Sequence, residues 1–434
     1  MAARLRSLLV PAAAAAVAAL VVGGTSSQAK ASRWIQYGIQ DDAWLLAGPD
    51  PDALPARIAL LKKLGVGIVR YNLQWSAIAA KRPAAATDAD DPAYDWTASD
   101  TVLDAVHEVG IPVLLTVNGT PTWANGDRPP SYAPKNSSDF TAFVTAAARR
   151  YSWVKKWTIW NEPNQPRWLR PGSPRLYVTN LLNPSYKVLH REIRGVQVGA
   201  GGTAPRAGTG GVSPLAWLDG LHAAHARFDA YAHNPYPLSP QETPFTGACG
   251  HCTTVTLASM PRLIAKLDKY YGKKPIWLTE YGYQTSPPDA RFGVSWAKQA
   301  QFVSEASLRG YQLPQVTLLI HYLYRDEPDL GAWQSGLQTG SGKVKPSFDA
   351  FRLPFASIPG AAAKTTLWGQ IRTGAGRRPY VLQQLVGGGW KSLGGTRLTA
   401  SNGFFQASVR APKGTHFRFK SPRDHGFSPT LILR

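Results

Sequence analysis

The chain has 434 residues and a formal net charge of +21 at pH 7. This length can bury a large core and predicts more than one domain. The sequence contains no internal repeat, no glycine-rich phosphate loop and no metal-spaced histidine cluster, and no nucleic-acid-binding motif accompanies the positive charge. These observations argue against a repeat protein, a nucleotide-binding protein and a nucleic-acid-binding protein, and they predict a protein that uses no metal or organic cofactor.

Residues 1–31 have the layout of a secretory signal peptide. Arg4 and Arg6 precede an apolar stretch from Leu8 to Val22, and small residues follow it. The stretch has 15 residues, fewer than the roughly 20 that cross a bilayer, although an uncleaved anchor is an alternative. We therefore expect an exported protein, secreted or associated with the cell wall, without a stable membrane span after cleavage.

From residue 32 to about residue 356, short apolar runs alternate with amphipathic stretches eight times. Leu54, Ile58 and Leu61, at i, i+4 and i+7, are typical of the helices between the runs. Strands of this kind, separated by helices, predict a parallel sheet that is buried on both faces. Because eight such strands close a barrel, we predict an α/β fold, a (β/α)8 TIM barrel over residues 32–356. The predicted strands are Ile35–Gln40, Gly67–Leu73, Pro112–Val117, Lys156–Asn161, Val196–Gly201, Phe228–His233, Pro275–Glu280 and Gln315–Tyr322.

Residues 364–434 show no helical pattern and consist of short strand-like runs separated by glycine-rich turns. We predict a small β-sandwich that resembles the immunoglobulin-like modules of exported bacterial proteins, joined to the barrel by a linker at 357–363. This segment holds twelve Lys and Arg residues against one acid, Asp424, a net charge of +11. It could bind an anionic cell-wall or extracellular polymer, or it could only pack against the barrel.

The two cysteines, Cys249 and Cys252, lie in a Cys-Gly-His-Cys sequence. In a cytosolic protein this spacing would suggest a redox or zinc site. No second cysteine pair is present to complete a metal site, and we expect export, so a local disulfide is predicted. His251 is then an exposed loop residue rather than a ligand.

Two strings each place one glutamate at the end of a predicted strand. Trp157-Thr-Ile-Trp-Asn-Glu-Pro-Asn164 holds Glu162 after strand four, and Trp277-Leu-Thr-Glu-Tyr-Gly282 holds Glu280 at the end of strand seven. The active site of such a barrel lies at the C-terminal ends of its strands, so both carboxylates would face one pocket. Two carboxyl groups roughly 5–5.5 Å apart suit a glycosidase that cleaves with retention, one as the acid and one as the nucleophile.

The triplet Asn161-Glu162-Pro163, together with Glu280, resembles the pattern of clan A retaining glycoside hydrolases. The string Trp160-Asn-Glu-Pro-Asn164, followed by Trp168, is most similar to family 39, with the family 5 cellulase-like enzymes as neighbours. The resemblance covers the whole barrel. It implies cleavage of a polysaccharide or oligosaccharide through a covalent glycosyl-enzyme intermediate, with Glu162 as the acid/base and Glu280 as the nucleophile.

The resemblance implies roles for three further residues. Asn161 would bond the 2-hydroxyl of the sugar, and Arg70 and Tyr236 would keep Glu280 ionised and aligned. A drier and more aromatic setting would raise the pKa of Glu162, which an acid catalyst requires.

Strand eight departs from the clan pattern, in which many members carry a tryptophan that forms the floor of the sugar site. This sequence reads Leu319-Ile-His-Tyr-Leu-Tyr-Arg-Asp326, so Tyr322, Tyr324 or Trp333 would replace that tryptophan. The departure leaves the size and identity of the sugar open.

Four more residues are candidate substrate contacts. Trp123 and Trp168 lie in predicted strand-to-helix loops, where an indole can offer its face to a pyranose, although packing is the common role of tryptophan. Asn118 follows strand three and could instead be a turn residue. His233 ends strand six and could instead be a satisfied histidine beneath the site.

The alternative from another class is a carbohydrate-binding protein of the cell wall that keeps the barrel and its groove without hydrolysis. The presence of both glutamates favours the enzyme. The sequence leaves open the sugar, the linkage, internal or terminal cleavage, hydrolysis or transfer, and the oligomeric state.

Overall fold

The computed structural model describes residues 19–20, 31–32, 34–46, 53–247, 249, 252–360, 364–423 and 426–434. Most of the predicted signal peptide therefore lies outside the described residues. No helix in the part of the chain that is described has the length and apolar character needed to cross a membrane.

Eight parallel strands form a closed barrel, in which each strand pairs with its neighbour in sequence and the last pairs with the first. Most strand residues are buried, because side chains fill the interior and helices cover the outside. The predicted barrel is confirmed, and its strand ends differ from the prediction by at most two residues. The strands are β1 Gln36–Gln40, β2 Ile68–Gln74, β3 Val113–Asn118, β4 Lys156–Asn161, β5 Gln197–Thr203, β6 Ala230–His233, β7 Ile276–Tyr281 and β8 Val316–Tyr322.

Serine side chains mark the start of some of the helices. Ser213 and Ser295 cap two of the helices, because their hydroxyls accept the backbone N–H of Ala216 and Lys298. The α-helices are α1 Asp42–Leu46, α2 Ala53–Leu64, α3 Trp75–Ile78, α4 Thr97–Glu108, α5 Thr122–Asn125, α6 Ser137–Arg150, α7 Pro174–Leu176, α8 Asn183–Glu192, α9 Pro214–Ala223, α10 Met260–Tyr271, α11 Trp296–Gln312 and α12 Ser347–Arg352. A π-helix, Tyr177–Leu182, precedes α8, and a 3-10 turn, Leu257–Ser259, precedes α10.

Two antiparallel sheets follow the barrel, which confirms the predicted β-sandwich. The first sheet holds β9 Phe355–Pro359, β10 Lys364–Gln370, β14 Phe404–Arg410 and the short strand Ala19–Leu20. The second holds β11 Pro379–Val386, β12 Gly389–Ser392, β13 Arg397–Leu398, β15 His416–Ser421, β16 Gly426–Phe427 and β17 Leu431–Ile432.

The predicted linker at 357–363 differs from the structure. Residues 357–359 belong to β9, which pairs antiparallel with β10 from Phe355 opposite Gly369 to Pro359 opposite Thr365. The first strand of the sandwich therefore starts before the predicted boundary, and residues 361–363 lie outside the described part.

The sandwich packs against the barrel through buried side chains. Trp368 and Phe404 both contact the ring of Tyr311 on α11, at centroid distances of 5.5 and 4.7 Å. The guanidinium of Arg372 lies 3.8 Å from the ring centroid of Tyr37 in β1 and donates to Ser307 Oγ at 2.7 Å. Burial lowers the pKa of Arg372 to about 9. Packing against the barrel, the alternative role of this segment, is thus observed.

Candidate active site

The two glutamates lie at the C-terminal end of the barrel. Glu162 follows β4 directly, and Glu280 is the penultimate residue of β7. The backbone turns sharply at Glu162, where φ is +39°, and its N–H donates to the Gly202 carbonyl in β5 at 3.0 Å. A Cβ at Gly202 would lie 2.5 Å from Thr279 Oγ1. Glycine is therefore required in β5 for this close approach.

Charged and phenolic donors hold Glu280. Arg70 Nη1 donates to Glu280 Oε1 at 2.5 Å, and the Tyr236 hydroxyl donates to Oε2 at 3.0 Å. The Arg70 side chain is 1% exposed. It also donates to Gln40 Oε1, Thr116 Oγ1 and Asn161 Oδ1. Each Glu280 oxygen therefore accepts a hydrogen bond, one from Arg70 and one from Tyr236, and these bonds fix the orientation of the carboxyl group.

Neutral donors surround Glu162. Asn234 Nδ2 donates to Glu162 Oε1 at 3.1 Å, and the indole of Trp168 lies near this carboxyl group. Burial and then the negative charge of Glu280 raise the pKa of Glu162 to about 7, against the opposing effect of those two side chains and of Arg70. The two glutamates are also linked through Asn234, which donates to Glu162 and accepts from Thr279, the residue before Glu280.

Two amides are oriented by their neighbours. Asn161 Oδ1 accepts from Arg70 Nη2 at 2.9 Å, so its Nδ2 faces away from the arginine and is the group that remains for a ligand. Asn234 Oδ1 accepts from Thr279 Oγ1 at 2.7 Å, which directs its Nδ2 to Glu162. Sequence reasoning missed Asn234, whose signal is its place directly after β6 in His-Asn-Pro-Tyr.

An aromatic cluster of Tyr236, Tyr322 and Trp333 lies beside Glu280. The ring centroid of Trp333 is 4.8 Å from that of Tyr236 and 5.6 Å from that of Tyr322. Tyr322 ends β8, and Trp333 is half-buried in the following loop. These rings can form the floor of a sugar site.

Asp42, the first residue of α1, is a third acid of this network that sequence reasoning did not single out. Its Oδ2 accepts from Asn72 Nδ2 at 2.6 Å, whereas its Oδ1 is buried and has no hydrogen-bond partner among the described residues. Burial raises the pKa of Asp42 to about 7, and Arg70 opposes that rise. A buried acceptor without a partner is costly unless a ligand supplies a donor.

No protein-family model matches the sequence, and no curated protein matches it. Solved structures do match the fold. A family 39 glycoside hydrolase from Bacteroides cellulosilyticus WH2 is 17% identical with a TM-score of 0.57, over 88% of this chain and 82% of that one. The family 39 enzyme from Xanthomonas axonopodis pv. citri is 12% identical with a TM-score of 0.54, over 92% and 93%.

A monomeric beta-xylosidase from Caulobacter crescentus CB15 is 14% identical with a TM-score of 0.52, over 87% of this chain and 96% of that one. The fold is that of family 39 glycoside hydrolases. These coverages exceed the share of the chain that the barrel occupies, so the likeness extends into the C-terminal sheets. Identities this low describe the fold alone, and the chemistry rests on the side chains of this chain.

Three predicted substrate contacts lie away from the pocket or have no atom left for a sugar. His233 is fully buried, with Nδ1 2.9 Å from Thr203 Oγ1 and Nε2 3.0 Å from the Val255 carbonyl. Burial lowers its pKa to about 4. The neutral ring therefore uses both nitrogens within the protein, and the prediction of a substrate role for His233 is corrected.

Tyr324 and Trp123 pack into the protein instead. Tyr324 is 1% exposed, and its ring lies 4.1 Å from that of Trp44. Trp123 donates to the Ala79 carbonyl at 2.7 Å, and the Arg82 guanidinium covers its ring at 4.3 Å. Tyr324 is therefore closed to a sugar, whereas Trp123 is half-buried with Arg82 over its ring.

The remaining candidates lie in loops or at strand ends. Asn118 ends β3 and is 4% exposed, and its side chain makes no hydrogen bond to any described residue. Cys249 and Cys252 are free thiols in the structure, and the Cys252 N–H donates to Cys249 Sγ at 3.0 Å. The predicted disulfide is thus not formed there. His251 lies outside the described residues.

Proposed function

We propose that the protein is an exported retaining glycoside hydrolase that cleaves O-glycosidic bonds of a polysaccharide or oligosaccharide. The observation that carries this proposal is the different surroundings of two facing carboxyl groups. Glu280 accepts hydrogen bonds from Arg70 and Tyr236, whereas Glu162 has a pKa of about 7. One carboxylate is prepared to attack and one carboxylic acid is prepared to donate a proton. Export rests on the signal-peptide layout of residues 1–31.

In the first displacement, a Glu280 oxygen forms a bond to the anomeric carbon while the bond from that carbon to the leaving oxygen breaks. Glu162 gives its proton to the leaving oxygen, which departs as a hydroxyl group. Asn161 Nδ2 is the free donor beside Arg70, and it bonds the 2-hydroxyl of the sugar. The rings of Tyr236, Tyr322 and Trp333 support the sugar that becomes attached to Glu280.

In the second displacement, Glu162 acts as a base. Formation of the ester removes the negative charge of Glu280, which is the second-largest cause of the raised pKa of Glu162. Glu162 has already lost its proton and now takes one from water, and the water oxygen attacks the anomeric carbon as the bond to Glu280 breaks. The product keeps the configuration of the substrate.

The decisive experiment measures the release of reducing ends from plant and bacterial wall polysaccharides and from xylo-oligosaccharides, which the beta-xylosidase relative makes a reasonable choice. The wild-type protein is compared with the double variant Glu162→Gln, Glu280→Gln. Cleavage by the wild type alone, with retention of the anomeric configuration in the first-formed product, supports the proposal. Equal binding by both proteins without cleavage supports the carbohydrate-binding alternative instead.

A further inference from the structure

Charge is unevenly distributed among the segments that follow the barrel strands. The loops after β3, β4 and β5, residues 119–136, 162–173 and 204–213, hold five basic residues and two acids. The basic residues are Arg128, Lys135, Arg167, Arg170 and Arg206, and the acids are Asp127 and Glu162 itself. The segment that follows β2, residues 75–96, shows the reverse balance. Its acids are Asp88, Asp90, Asp91 and Asp95, against Lys81 and Arg82.

We name Arg128, Arg167, Arg170 and Arg206 the arginine arc. All four are exposed, and none forms an ion pair with any described residue. Other arginines of this chain do find carboxylates, as Arg82 does with Asp139. The positive charge of the arc is therefore uncompensated, and it attracts anions from solution.

Backbone hydrogen bonds connect the arc to the segment that carries Glu162. The Ala133 N–H donates to the Arg170 carbonyl at 2.9 Å, which joins the loop after β3 to the loop after β4. Gln165, three residues beyond Glu162, donates from Nε2 to the Arg206 carbonyl at 2.5 Å, which joins the loop after β5. The three loops thus form one surface beside the acid.

Aromatic rings position the guanidinium groups. Arg128 and Arg170 lie 5.0 and 5.6 Å from the ring centroid of Tyr132. Arg167 lies 5.7 Å from the ring centroid of Trp168, whose side chain is near Glu162. A guanidinium that packs on a ring keeps N–H donors at its edge, and these donors match the oxygens of a carboxylate or sulfate.

We propose that the arginine arc binds the leaving-group part of an acidic saccharide, so that the substrate of this site is a polysaccharide with carboxylate or sulfate groups beyond the cleaved bond. This inference rests on the proposed function, because Glu162 protonates the leaving oxygen and the leaving group must therefore pass beside the loop that carries it.

The test measures binding in the inactive Glu280→Gln background, with glucuronoxylan, the same polymer after reduction of its carboxyl groups, and chondroitin sulfate as probes. The arc variant is Arg128→Gln, Arg167→Gln, Arg170→Gln. A matched control, Arg410→Gln, Lys413→Gln, Arg423→Gln, removes the same three charges from exposed positions of the sandwich. Thermal melts of both triple variants show that they fold.

We expect the arc variant to bind an acidic polymer about tenfold more weakly than the parent protein and to bind the neutral polymer with unchanged affinity. When the salt is raised from about 50 to about 300 mM, the affinity of the arc variant for the acidic polymer should fall less than that of the parent protein. The carboxylated and sulfated probes show which anion is preferred. Equal weakening in the control variant, or equal binding of the acidic and reduced polymers, overturns the inference. If the wild-type protein cleaves only neutral substrates, the glycoside hydrolase proposal stands and the proposal of an acidic substrate is refuted. If it cleaves no substrate but still binds acidic polymers through the arginine arc, only the proposal of hydrolysis is refuted.

Discussion

Glu280 and Glu162 are the same residue type at one barrel mouth, and their neighbours give them opposite properties. Glu280 contacts the guanidinium of Arg70 and the hydroxyl of Tyr236, whereas Glu162 contacts only neutral donors and feels the charge of Glu280. The comparison shows that the surrounding residues determine which carboxyl group suits the role of acid and which suits the role of nucleophile. Arg70 and Tyr236 hold one carboxyl group in place, and burial beside that group raises the pKa of the other.

The largest effect is expected from removing the ion itself. Glu280→Gly should lower turnover by about 10⁴-fold or more, because no group remains to attack the anomeric carbon. Added azide should restore cleavage by entering the space of the lost side chain, and its product should be a glycosyl azide of inverted configuration. Glu108→Ala, on the exposed surface of α4, is the control and should retain full turnover. Full turnover by the Glu280→Gly variant would contradict the assignment of the nucleophile.

A smaller effect is expected on the pKa of Glu162 when the charge of Glu280 is removed. Glu280→Gln removes a negative charge that raises the pKa of Glu162, so that pKa should fall below its wild-type value of about 7. A titration followed by NMR of carboxyl-labelled glutamate measures it, and the Glu162→Gln variant assigns the signal. Glu305→Gln, on α11, serves as the control and should leave the pKa of Glu162 unchanged. An unaltered value in Glu280→Gln would mean that the two groups do not interact.

The smallest effect is expected on the pH dependence of activity, when a neutral donor to Glu162 is removed. Glu162 must be protonated to act as an acid, so kcat/KM should fall as the pH rises through about 7. Asn234 donates to the ionised form, so Asn234→Ala should raise the pKa of Glu162 and move this limb of the profile to higher pH. Asn164→Ala removes a buried amide that bonds only backbone groups of Ala204 and Val212, and it should leave the limb in place. A shift to lower pH in Asn234→Ala, or the same shift in both variants, would contradict the role of this hydrogen bond.

Much of the fold was predictable because its signals are local. Each barrel strand is a short apolar run, and each of the two glutamates ends or follows such a run, so the strand count and the placement of Glu162 and Glu280 at one mouth could be read from the sequence. The placement of Arg70 beside Glu280 could be expected from the resemblance, and the structure shows the ion pair.

The errors concern which of two neighbouring residues faces the pocket. His233 and Asn234 are consecutive, and the side chains of consecutive strand residues point in opposite directions, so only the structure shows that Asn234 meets Glu162. Tyr322 and Tyr324 would share a face if β8 continued, but the chain turns at Leu323, where φ is +76°. Asp42 follows another acid, Asp41, and its neighbours Arg70 and Asn72 belong to a different strand, β2.

The burial of Arg372 implies that the barrel and the sandwich evolved together as one unit. This residue belongs to the sandwich by sequence, yet its guanidinium lies on Tyr37 and beside Ser307 of the barrel, and its backbone passes so close to Gly65 that a Cβ there would lie 2.6 Å away. Replacement of the C-terminal sheets by those of another protein would remove Arg372. The ring of Tyr37 and the hydroxyl of Ser307 in the barrel would then lose their contact with its guanidinium. The sandwich of this chain is therefore not an interchangeable module, and changes on either side of the junction must be compensated on the other.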